Sequence, residues 1–108
     1  MTELLHITAR PGAPIACDMS TATDTPEERR AAYERLFQHA LITRERRDDG
    51  IALRLRAGDG TRATLEDLVR REAECCPFAD YRVEAAGDEL IWTITAEAPE
   101  FLDAFLSA

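Results

Sequence analysis

A chain of 108 residues with a formal charge of −8 and a pI of about 4.7 is a poor match for nucleic acid or an anionic membrane surface, both of which need clustered Lys and Arg. With 45 % apolar and 31 % charged residues it can bury one core, and a single domain over residues 1–108 is expected. The acidity suits a cation, a basic protein patch or plain solubility.

Residues 1–14 read as an irregular N-terminal segment, because Pro11, Gly12 and Pro14 interrupt the apolar Leu4, Leu5 and Ile7. Ile15 to Cys17 suggests a short strand, followed by a loop in which Asp18 and Asp24 are solvated. Thr25-Pro26-Glu27-Glu28 combines an N-cap, a proline at the first helical position and an acid at the third. It predicts a helix over 26–41 whose buried stripe is Ala32, Tyr33, Leu36, Phe37, Ala40 and Leu41, with Arg29 on the same side.

Residues 42–47 read as a charged edge strand, and Asp49-Gly50 as a hairpin turn. Ile51, Leu53 and Leu55 then alternate as a half-buried strand closed by residues 57–60. Thr64 is the expected cap of a second helix over 65–75, which stops because Pro77 disfavours a helical residue before it. Tyr81, Val83 and Ala85 form the next strand, Ala86-Gly87-Asp88 turns the chain, and Leu90, Trp92, Ile94 and Ala96 mark one face of its partner. Pro99 opens a last short helix carrying Phe101, Leu102, Phe105 and Leu106. This order predicts an α+β fold: an antiparallel sheet of four to five strands with helices packed on one face as a two-layer sandwich.

No apolar run reaches the roughly 20 residues of a membrane span. The N-terminus shows no basic region followed by a long apolar one, so a cytoplasmic location with reduced thiols is expected. Three cysteines, two of them adjacent, argue against a disulfide framework and for free thiols.

The chemistry gathers at residues 72–78, Glu-Ala-Glu-Cys-Cys-Pro-Phe. Glu72 falls inside the apolar stripe of the second helix, and Cys75 and Cys76 lie three and four residues beyond it. A carboxylate on such a face needs a partner. Two candidates stand side by side: Arg29 as a structural ion pair, or a metal ion. Cys17, Cys75 and Cys76 would bind a thiophilic metal (zinc, copper or mercury), with Glu72 as ligand or supporting group and His6 or His39 to complete the set.

That reading requires the Cys17 loop to lie against the end of the second helix. Cys75 is expected to be helical and Cys76 extended, with no bond between them. Two other readings use the same residues. One is a thiol-redox or thiol-transfer protein, although a helix C-terminus flanked by Glu72 and Glu74 keeps a thiol protonated. The other is a dimeric interaction module, paired through the sheet edge, with inert thiols. No nucleophile–base set or phosphate loop is present, so no catalytic residue is assigned.

Glu72-x-x-Cys75-Cys76-Pro77-Phe78 resembles a phrase shared by a set of small, mostly uncharacterised bacterial proteins. Some of these are similar to accessory or fused domains near regulators of mercury and other heavy-metal resistance. The resemblance covers residues 15–106 and includes an early cysteine, matched by Cys17, and an arginine followed four residues later by an aromatic, matched by Arg29 and Tyr33. Ala79, Asp80 and Tyr81 depart from the Leu and aromatic that follow the phrase in many members. The resemblance places the chain among these proteins more than it explains what the chain does. The chain has no DNA-reading helix pair, so it is not expected to be a regulator itself.

Overall fold

The computed structural model describes residues 1–58 and 60–107. The elements run β1 (Thr2–Ile7), α1 (Pro26–Ala40), β2 (Leu41–Arg47), β3 (Gly50–Arg56), α2 (Thr61–Cys75), β4 (Asp80–Ala86), β5 (Glu89–Thr95) and α3 (Pro99–Ser107). All five strands join one antiparallel sheet in the order β1-β4-β5-β3-β2, with the helices packed against it. The fold is α+β, as the alternation of capped helices with hairpins predicts.

α1 starts where its cap demands. Glu28 N–H donates to Thr25 Oγ1 at 3.1 Å, and Thr25 N–H donates to Glu28 Oε1 at 2.9 Å, so two orphan amides of the first turn are satisfied reciprocally. Its buried residues are Arg29, Tyr33, Leu36, Phe37 and Ala40. The helix passes into β2 without a loop, since Leu41 is both its C-cap and the first strand residue.

α2 begins at Thr61, earlier than the Thr64 cap predicts. Gly60, left-handed at φ 75°, makes the entry and no side chain caps it. Asp59, part of the predicted turn at residues 57–60, lies outside the described residues. The N-terminal reading also changes. Thr2–Ile7 is an edge strand paired with β4 rather than an irregular segment, and residues 15–17 form no strand.

Gly87, at φ 62°, opens the two-residue β4–β5 turn, a position that suits glycine. The Asp49-Gly50 signal works differently. The turn is Asp48-Asp49, and Gly50 sits inside β3 opposite Thr95. A Cβ at residue 50 would run into the main-chain carbonyl of Ile94. Gly50→Ala is therefore expected to cost about 2 kcal/mol, because a backbone atom has to give way. A shift of the urea midpoint with an unchanged slope checks it; an unshifted midpoint refutes the steric reading.

The core lies between sheet and helices. Ile51, Leu53, Leu55, Tyr81, Val83, Leu90, Trp92 and Ile94 point into it and are inaccessible or nearly so. Trp92 stacks on Tyr33 of α1 at 5.8 Å and meets the edge of Phe105 of α3 at 5.4 Å, so one ring joins the sheet to two helices. Among the described residues, no helix is long and apolar enough to cross a membrane.

Candidate redox site

The C-terminal end of α2 is where the chain brings its cysteines. Residues 8–24 run without regular structure and are pinned here by two backbone bonds: Arg10 N–H donates to the Pro77 carbonyl and Asp18 N–H to the Cys75 carbonyl, each at 2.8 Å. The second satisfies a helix-end carbonyl and places Cys17 beside Cys76. Cys75 is the last helical residue. Cys76, at φ −126° and ψ 69°, has left the helix, so the two adjacent side chains diverge.

Cys17 and Cys76 form a disulfide with Cα atoms 4.4 Å apart, while Cys75 remains a free, buried thiol. This overturns the three-cysteine metal site. Soft metals bind thiolates, and two of the three sulfurs are bonded to each other. The expectation of free thiols fails for Cys17 and Cys76 and holds for Cys75 alone. Cys17, Cys76 and Glu72 do form a cluster with ligand atoms within 4.8 Å of one another, among the described residues. Neither Cys75 nor a histidine belongs to it. His6 instead bonds Asp80 across β1 and β4, and His39 is exposed on α1.

Glu72 is 8 % exposed and sits one helical turn before Cys76, with Oε2 3.1 Å from Cys76 Sγ. Its other oxygen, Oε1, accepts a 2.6 Å bond from the Tyr33 hydroxyl. Arg29 Nη1 lies 3.6 Å from Oε1, with no hydrogen-bond partner of its own. Burial pushes the Glu72 carboxyl above the ordinary glutamate range, against the Tyr33 bond and the Arg29 charge. A disulfide sulfur carries no proton. Any hydrogen shared across the Glu72–Cys76 contact therefore belongs to the carboxyl group.

Arg29, 5 % exposed, has a nearer partner than Glu72. Its Nε and Nη2 donate to the two oxygens of Asp24 at 2.6 and 2.8 Å, a bidentate fork. Nη2 also reaches Cys75 Sγ at 3.7 Å. Asp24 further accepts from Arg71 Nη1 at 3.0 Å, and the Arg29 bond holds its carboxyl below the usual aspartate range. This corrects the solvated loop position that the sequence predicts for Asp24. Its position just before the Thr25 cap, one turn from Arg29, is the signal that could have shown otherwise. Tyr81 hydroxyl donates to the Cys76 carbonyl at 2.8 Å, fixing the backbone after the helix.

Beside the disulfide opens a cavity of about 470 Å³ lined by Cys17, Met19, Arg29, Arg30, Tyr33, Glu34, Glu72, Phe101 and Phe105, among others. Cys17 lines it and Cys76 does not, so an occupant meets the exposed half of the bond. Comparison of the chain with protein-family models, with curated proteins and with solved structures gives no match.

Proposed function

We propose that the protein carries out thiol–disulfide exchange through the Cys17–Cys76 bond. The observation that supports this best is the asymmetry of the pair: Cys17 is exposed at a cavity, while Cys76 is 1 % exposed and touches the raised Glu72 carboxyl. An incoming thiolate attacks Cys17 Sγ. The sulfur–sulfur bond breaks, a mixed disulfide forms on Cys17, and Cys76 leaves as a thiolate. The Glu72 carboxyl gives that thiolate its proton. In the reverse direction Glu72 takes the proton back, and the Cys76 thiolate displaces the partner thiol.

The carboxyl answers the objection raised by the helix C-terminus. That site disfavours a negative sulfur, and a proton donor at 3.1 Å removes the charge as it forms. In a reducing compartment such a bond is a working state rather than a staple. The likeness to the bacterial Glu-x-x-Cys-Cys-Pro-Phe proteins, with their early cysteine, is part of the same proposal.

The test is to trap the intermediate. Cys76→Ser treated with an aromatic disulfide should hold one mixed disulfide on Cys17, located by peptide mass spectrometry. Glu72→Gln, which keeps an acceptor for Tyr33 but no carboxyl proton, should slow reduction of the bond by mercaptoethanol by roughly a hundredfold near neutral pH. Label at Cys75 instead of Cys17, or an unchanged rate in Glu72→Gln of native circular dichroism, would sink the mechanism.

A further inference from the structure

The cavity beside Cys17 carries two charges that the protein does not use. Arg30 and Glu34 stand one turn apart on the exposed side of α1, and both line the cavity. Neither forms an ion pair among the described residues, not even with the other, although the spacing allows one. Behind them Arg29 is already paired with Asp24 and Glu72, which leaves Arg30, among the described residues, as the cavity's uncommitted cation. Phe101 supplies an apolar wall on the α3 side. The volume, about 470 Å³, suits a small molecule rather than a folded partner.

Resting on the exchange reading, we infer that the thiol consumed here is a low-molecular-weight thiol with an α-amino-acid head. Its carboxylate faces Arg30, its ammonium faces Glu34, and its sulfur meets Cys17. A paired cation and anion one helical turn apart match a zwitterion and reject a thiol carrying one charge or none. The reaction balances as in the exchange above. The small thiolate is oxidised into the mixed disulfide on Cys17, and a second equivalent releases it as the symmetrical small disulfide with Cys17 reduced.

The experiment measures reduction of the oxidised full chain by cysteine, cysteamine, mercaptopropionate and mercaptoethanol. Each rate is corrected for thiolate fraction and intrinsic nucleophilicity. Cysteine is expected to exceed the other three by about tenfold, the ratio one charge-assisted contact supplies, and to saturate with concentration. S-methylcysteine, which has the head but no nucleophile, should inhibit it. Arg30→Ala and Glu34→Ala should each bring cysteine down towards the others, whereas Arg35→Ala, off the cavity, should keep the preference. If all four thiols fall on one Brønsted line without saturation, the assignment of the cavity is wrong. Dithiothreitol separates the two readings: failure to open the bond at all overturns exchange itself, while a bond that dithiothreitol opens and cysteine does not favour overturns only the amino-acid thiol.

Discussion

Reduction of the Cys17–Cys76 bond should lower the stability of the protein by about 4 kcal/mol, the entropy released when a loop of 59 residues is freed in the unfolded chain. For a domain of this size that is a fall in melting temperature of roughly 15 °C or more. The folded state offers little to offset it. The two backbone bonds from Arg10 and Asp18 and the Asp24 bonds to Arg29 and Arg71 remain, but no strand ladder holds residues 8–24. Thermal unfolding followed by circular dichroism, with and without dithiothreitol, measures the difference. Cys17→Ser should melt with the reduced protein and be indifferent to reductant. A loss of only a degree or two in either would mean that the bond constrains nothing. The size of the effect also bears on exchange, because each catalytic opening would pass through a markedly weaker protein.

Arg29→Ala is expected to cost about 3 kcal/mol at neutral pH, since it strands two acids in a largely buried site. Asp24 loses its bidentate partner and keeps only Arg71; Glu72 loses its nearest cation. The pH dependence follows from the direction of each shift. Asp24 is held low by Arg29, so its contribution is fully present above the ordinary aspartate range and is lost as pH falls through its folded value. Glu72 is held high by burial, so the folded state binds a proton the unfolded state has released; stability falls as pH rises from the ordinary glutamate range through the raised value. Without Arg29, Asp24 loses its advantage and Glu72 moves higher still. The penalty of the substitution should therefore shrink on going from about pH 7 to about pH 4, because the variant takes up protons that the native protein does not. Denaturant unfolding at the two pH values checks this. An equal penalty at both would show that the loss comes from packing of the guanidinium stem alone.

Elements with strong local signals were legible in the sequence. The Thr25-Pro26-Glu27-Glu28 start, the period-two runs around Leu53, Val83 and Trp92, and the stop before Pro77 each rest on neighbours within a few residues. β1 was not, because its partner β4 lies far along the chain and its register breaks between Glu3 and Leu5, which spoils the alternation. The start of α2 was missed because a left-handed glycine, rather than a side-chain cap, makes it. At the site, burial of Arg29 and Glu72 followed from their stripes. The roles of Asp24 and Tyr33, and the pairing of Cys17 with Cys76 alone, depended on how an irregular loop crosses a helix end, for which no periodicity exists.

The placement of β1 and Cys17 sets a timetable for the nascent chain. Both leave the ribosome ahead of β4, which pairs with β1, and of Cys76, each of which follows its partner by more than 50 residues. Until then the first 24 residues have no site to occupy, while α1, β2 and β3 can begin to associate. Bonding of Cys17 to Cys76, with two electrons and two protons passed to an external disulfide, therefore waits until everything between the two cysteines has been synthesised.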